Sequence, residues 1–140
     1  MLPFPPPQAL IYEDKKVYVC FASYPIGEGH TIVVWKKHVP DLHYLSDEEY
    51  GYLMGIIDIA RDALLKVYNI EKVYLLYMDE LKQVHWHLVP RFNEKGMNVF
   101  NHKPKKALSF PKTVIVKKAF LEILEKKRNK NNGGKKEKGN

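Results

Sequence analysis

The chain has 140 residues, 45% of them apolar and 12% aromatic, which suits one domain with a single core of moderate size. The formal net charge is +7, but residues 126–140 hold seven Lys or Arg and one Glu, hence +6, so the remainder carries about +1 and the basic balance does not belong to the body. No apolar run approaches the ~18 residues of a membrane span, and the lone Cys20 excludes an internal disulfide or an all-cysteine metal site.

The lead MLPFPPPQ (1–8) lacks the basic n-region of a signal peptide and is broken by prolines, so the cytoplasm is the expected compartment. ALIYED (9–14) and KVYVCFA (16–22) are short β-type runs that pair across Asp14 and Lys15. SYPIGEG (23–29) reads as a turn, because Pro25 fixes φ and the two glycines permit unusual angles. HTIVVWKKHV (30–39) follows as a strand rich in β-branched residues, ended by Pro40.

A helix then starts at Ser46, an N-cap whose capping box is completed by Glu49, with Leu45 and Tyr50 at the staple positions. Tyr50, Leu53, Met54, Ile57, Ala60, Leu64, Val67 and Tyr68 repeat at the 3–4 spacing of a buried stripe and carry the helix to about Asn69. EKVYLLYM (71–78) and VHWHLVPRF (84–92) are strands separated by DELKQ, and 93–111 is irregular. TVIVKKAFLEILEKKR (113–128) reads as a closing helix whose TVIV start is also compatible with extended chain. The Lys/Asn/Gly-rich stretch 126–140 cannot form a core and is expected to be a disordered, solubilising tail, whose contact with nucleic acid would be non-specific. The organisation is thus a lead (1–8), one domain (9–125) and a tail (126–140). The fold class is α+β: an antiparallel sheet of about five strands, one long helix packed across it, and a C-terminal helix.

Within KQVHWHLVPRF (82–92), Gln83, His85 and His87 occupy every second position and Val84, Trp86 and Leu88 fill the gaps. Strand side chains alternate and advance ~3.3 Å per residue, so Gln83, His85, His87 and Val89 share one face with the imidazoles roughly 7 Å apart at Cα. Val84, Trp86 and Leu88 point into the core that the long helix covers. Two rings on the open face serve as an exposed polar surface, as metal ligands, or as nucleophile and proton donor toward a phosphate. A metal needs further ligands; His30, His38, His43 and His102 are available, without a Cys or acidic residue at close ligand spacing, and no metal or other cofactor is expected.

Three stretches resemble the histidine-triad (HIT) family in the family's order. YPIGEGHTIVVWKKHV is similar to its Tyr-Pro, Gly-His, apolar strand and basic-His run. DLHYLSDEEYGYLMGII is similar to its helix start, and VYLLYMDELKQVHWHLVPRF to its final strand pair ending in Pro-Arg. The resemblance covers about residues 9–92. It implies a sheet that commonly pairs with a second copy, hence a homodimer, and a nucleotide whose α-phosphorus is attacked by the middle triad histidine. His85 matches that nucleophile and His87 the residue that hydrogen-bonds the phosphate. The implied activity is a nucleotide hydrolase or nucleotidyl transferase working through a nucleotidyl-histidine, on dinucleoside polyphosphates or adenylylated compounds. Covalent catalysis by neutral imidazole is chemically sound near pH 7.

The chain departs from the family pattern at several positions. Gln83 replaces the first triad histidine, where the family uses the backbone carbonyl to fix the nucleophile's tautomer, a role that survives a change of side chain. His38 matches the histidine that supports that position, and Lys82 places a cation near the phosphate; both are carried as substrate-binding candidates. Ala22 stands where many relatives hold the ribose with Asp or Asn. Asp79 and Glu80, in the loop before the triad, bring charge that would repel phosphate. His30 reads as structural, Trp35 as a packing difference from the usual proline, Arg91 as structural, and Tyr12, Cys20 and Tyr24 lie where a base pocket would be lined. The competing readings are a nucleotide-binding module that has lost turnover, motivated by Ala22, Gln83 and the acidic loop, and an RNA-associated protein acting through its tail.

Overall fold

The computed structural model describes residues 2–138, with side chains described as far as Asn131. Its sheet contains β1 (Leu10–Glu13), β2 (Val17–Phe21), β3 (Thr31–Trp35), β4 (Lys72–Tyr77) and β5 (His85–Arg91), in the order β1-β2-β3-β5-β4 with every pair antiparallel. The α+β expectation holds. Strand β3 is shorter than the run 30–39: it stops at Trp35, where Lys36 still donates its N–H to Lys16 O, and the chain then leaves the sheet.

Helix α1 (Asp47–Tyr68) begins and ends where local chemistry dictates. Ser46 Oγ accepts from Glu49 N–H at 3.1 Å, and Glu49 Oε1 accepts from Ser46 N–H at 3.0 Å, so the capping box is closed. Asn69 ends the helix with φ 52°, a left-handed cap that Asn tolerates. The buried stripe is Leu53, Ile56, Ile57, Ile59, Ala60, Ala63 and Leu64; Tyr50, expected within it, is 40% exposed at the helix entrance. Each fully buried Leu or Ile contributes ~1.5–3 kcal/mol of hydrophobic stabilisation, so this stripe fixes α1 across the sheet.

Helix α3 (Thr113–Lys138) packs on α1 and β1 and is helical from its first residue, which settles the ambiguity at TVIV. It buries Val116, Ala119, Phe120 and Leu124. It runs past Arg128 as far as Lys138; residues 139–140 of the stretch expected to be a tail lie outside the described residues. Between β5 and α3 the chain is irregular apart from the single turn α2 (Met97–Phe100). It is laid along the 23–30 turn by Ala107 N–H to Ser23 O (2.8 Å), Lys105 N–H to Pro25 O (3.3 Å) and the His102 ring to Ile26 O (2.8 Å).

The register of β3 against β5 sorts the two faces. Val33 lies opposite Trp86 and Thr31 opposite Leu88 on the face covered by α1, where Val84 and Leu88 are fully buried. Val34 lies opposite His85 and Ile32 opposite His87 on the other face. The proline-rich lead runs over the start of β5 on this second face: Leu2 N–H donates to Gln83 Oε1 at 3.0 Å, and Phe4 packs on Tyr18 with ring centroids 4.9 Å apart.

Candidate active site

Strand alternation brings His85 and His87 out of β5 on the same face, with ring centroids 5.1 Å apart and planes at 73°. The shared face is as expected; its openness is not. His85 is only 4% exposed, and His87 is half-buried. Alternation states which side a ring takes, not what is packed over it.

Hydrogen bonds assign each ring its protons. The carbonyl of Gln83 only accepts, so His85 Nδ1–H donates to it at 2.8 Å and His85 Nε2 is left with a lone pair. A second chain of bonds starts from a backbone donor. Ile26 N–H donates to His30 Nδ1 at 3.1 Å, which places the His30 proton on Nε2; that N–H donates to His87 Nδ1 at 3.0 Å, which in turn places the His87 proton on Nε2. Both rings of this relay must be neutral for the pattern to hold. Burial pushes His30 down to about 4, with the neighbouring His87 as second cause, and burial pushes His87 down to about 4, with His85 as second cause. Adjacent histidines thus hold opposite tautomers: a bare Nε2 on His85 and an Nε2–H on His87.

Gln83 enters the site through its backbone alone. Its side chain is 4% exposed, accepts from Leu2 N–H and donates to Trp35 O at 3.4 Å, a neutral bracket between the lead, the end of β3 and the start of β5. His38 is exposed and lines a recess with Gln83, Leu2 and Phe4, and Lys82 is exposed with φ 55°. Neither is joined by a hydrogen bond to His85 or His87 among the described residues. Sequence reading undervalued His30, which the structure ties directly to His87. The sequence shows the histidine just before β3, but its partner is set by the pairing of β3 with β5.

Asp79 lies beside His85. Its carboxylate does not face solvent: the side chain is 1% exposed, Oδ1 accepts from Leu81 N–H at 2.8 Å and lies 3.9 Å from His85 Nδ1, and Oδ2 is buried with no partner. Glu80 is exposed.

Beside His30 lies a recess walled by Phe21, Ala22, Tyr68, Phe110 and Pro111, with Lys112 at its edge. Phe21 and Phe110 present nearly parallel rings, 9° apart in plane and 6.5 Å between centroids. Tyr12, Cys20 and Tyr24 do not line it: Tyr12 packs on Phe120, Cys20 is core, and Tyr24 is 60% exposed. Among the described residues no three His, Cys, Asp or Glu side chains are grouped as a metal would require. No described helix is long and apolar enough to cross a membrane.

Comparison with known proteins identifies the family and the fold. Residues 5–94 match the family model of the HIT domain. The chain is 29% identical over 121 residues to an adenosine 5'-monophosphoramidase of Saccharomyces cerevisiae, covering 85% of this chain and 76% of the yeast protein. Its fold superposes on a zinc-bound histidine triad family protein from Mycobacterium smegmatis with TM-score 0.68 at 19% identity, over 86% of this chain and 88% of that one. It also superposes on the NitFhit protein of C. elegans with TM-score 0.64 at 21% identity, over 82% of this chain but only 28% of the longer protein.

Proposed function

Since the chain belongs to the HIT domain family, we propose that it is a nucleotide hydrolase or nucleotidyl transferase that acts at an α-phosphate through a covalent nucleotidyl-His85. The observation that carries this reading is the hydrogen bonding of the two rings, from which opposite tautomers follow. A nucleophile needs a lone pair aimed at phosphorus and a partner able to donate to the phosphoryl oxygens; His85 Nε2 is the first and His87 Nε2–H the second.

In the first half-reaction His85 Nε2 forms a bond to the α-phosphorus as the bond to the leaving group breaks, and the departing group takes its proton from solvent. His87 Nε2–H stabilises charge on the phosphoryl oxygens, which is most of what phosphoryl transfer asks of a protein. Water, or an acceptor hydroxyl in a transferase, then attacks phosphorus as the N–P bond breaks, the electron pair returns to Nε2, and the attacking group gives its proton to solvent. The recess beside His30 receives the nucleoside, its base against Phe21 and Phe110. With Ala22 there, the ribose is held by shape rather than by a carboxylate. Adenosine 5'-monophosphoramidate is the first substrate to try, since the yeast relative is named for it.

We extend the proposal to a homodimer. β4 is a sheet edge, and Leu75 and Met78, 39% and 60% exposed, lie on or beside it, a surface a second copy can cover. Light scattering on the purified chain measures the mass directly.

The near-complete burial of His85 favours one second reading, a nucleotide-binding module without turnover. Incubation with adenosine 5'-monophosphoramidate, rapid denaturation at neutral pH and peptide mapping separates the two. The enzyme reading expects an adenylyl group on His85 that is absent in His85→Ala. Binding of nucleotide with neither adduct nor product identifies the silent module.

A further inference from the structure

The loop before β5 buries a carboxylate behind His85, and nothing in the half-reactions above uses it. We propose that Asp79 is a positioning residue that holds the His85 ring for attack and balances the positive charge the ring acquires on nucleotidylation. This rests on the reading of His85 as nucleophile.

The geometry places the carboxylate where such a charge appears. The His85 ring keeps its proton on Nδ1 because Gln83 O accepts it, so when Nε2 bonds to phosphorus, the ring becomes a cation with Nδ1–H still attached. Asp79 Oδ1 lies 3.9 Å from that Nδ1, the ring nitrogen that does not bond phosphorus. The carboxylate thus neighbours the nitrogen that keeps its proton, while phosphorus bonds the other nitrogen of the ring. The charge that sequence reading expected to repel substrate instead faces the one group that turns positive during the reaction.

Three features show the placement is built in. The Asp79 side chain is 1% exposed in a segment whose neighbours Met78 and Glu80 are exposed. Oδ1 is fixed by Leu81 N–H at 2.8 Å. Oδ2 has no hydrogen-bond partner although it is buried, a situation that disfavours the folded protein unless a positive group comes close. A carboxylate kept dry and incompletely paired beside a nucleophilic imidazole stabilises the charged intermediate more than it stabilises the resting enzyme. When the N–P bond breaks, the electron pair returns to Nε2, the ring is neutral again, and Asp79 has neither gained nor lost a proton.

The test is the rate of adenylylation of His85 by adenosine 5'-monophosphoramidate, followed by rapid quench in wild type, Asp79→Asn and Asp79→Glu, with KM and thermal midpoint measured alongside. Asn keeps the shape and the acceptor for Leu81 N–H and removes only the charge, so a role confined to holding the loop survives it. The expected result is a fall of tenfold or more in the adenylylation rate constant for Asp79→Asn, KM within about threefold, and partial recovery in Asp79→Glu. Wild-type adduct with an Asp79→Asn rate within twofold of wild type overturns the role of Asp79 and leaves the proposed function standing. No adduct on wild-type His85 overturns both.

Discussion

Replacing His30 by Ala removes the link that sets the proton on His87, and the structure gives the size of the effect. Two bonds go, Ile26 N–H to His30 Nδ1 at 3.1 Å and His30 Nε2–H to His87 Nδ1 at 3.0 Å. At roughly 1 kcal/mol net for each, plus the cavity left by a ring that is 6% exposed, the fold loses about 2–4 kcal/mol and stays folded if it starts with ordinary stability. Catalysis has two limits. If the His87 ring stays in place and only its tautomer is released, an equal mixture halves the rate. If the donor to the phosphoryl oxygen is lost altogether, kcat falls ~10²–10³-fold, as for other preorganised donors. The ring loses its one described hydrogen bond, so the expected fall is about tenfold to a hundredfold in kcat with little change in KM. His30→Gln, whose amide nitrogen reaches the place of the imidazole Nε2, recovers most of it. Steady-state hydrolysis of adenosine 5'-monophosphoramidate by the three proteins measures this. A kcat for His30→Ala within twofold of wild type refutes the reasoning, because His87 would then hold its donor unaided.

Gly29→Ala should destabilise the protein by about 2–5 kcal/mol in urea titrations. Gly29 has φ +77°, and an added Cβ would lie 2.9 Å from both Pro90 Cγ and Tyr68 Cε2, so backbone strain and overpacking act together; an unchanged midpoint would show that the turn does not seat against β5 and α1 as described. Ser46→Ala opens the capping box and should lower stability by ~1 kcal/mol without touching kcat. The pH dependence follows from His30 and His87, both held down to about 4 mainly by burial. An unfolded imidazole takes up its proton near ~6.5, so the unfolded state binds more protons between those values. Stability is whole above about pH 6.5 and declines as pH falls toward 4. His102, raised by the Ile26 carbonyl and Glu94, acts in the opposite sense, losing its contribution as pH rises. Urea melts from pH 7 to pH 4 should show the decline, and His30→Gln should reduce it.

What was legible in the sequence was what local chemistry decides. The capping box needs only Ser46 and Glu49 three residues apart, and the alternation in 84–92 needs only the two-residue repeat of a strand, so α1 and the shared face of His85 and His87 followed from neighbours in the chain. What was not legible depends on register and on covering segments. His30 meets His87 across 57 residues because β3 pairs with β5 with Ile32 opposite His87, and no local pattern writes that register. The 4% exposure of His85 depends on segments distant in the chain, and no local pattern announces it. Asp79 was read only as a charge that would repel phosphate, because a sequence shows that a carboxylate is present but not which way it turns. The recess drew its far wall from Ala107 to Lys112, a stretch with no regular pattern, so the aromatic facing Phe21 was unpredictable.

The central claim is that one strand holds two neighbouring imidazoles in opposite tautomers before any substrate arrives. Long-range proton–nitrogen correlation of the histidine side chains at pH 7, in uniformly labelled protein with His85→Gln and His87→Gln variants for assignment, reads this directly. The expected spectrum has His85 protonated on Nδ1 with Nε2 bare, and His87 and His30 protonated on Nε2 with Nδ1 bare. A proton on His85 Nε2, or on His87 Nδ1, would contradict the account, since the first has no lone pair for phosphorus and the second no donor for its oxygens.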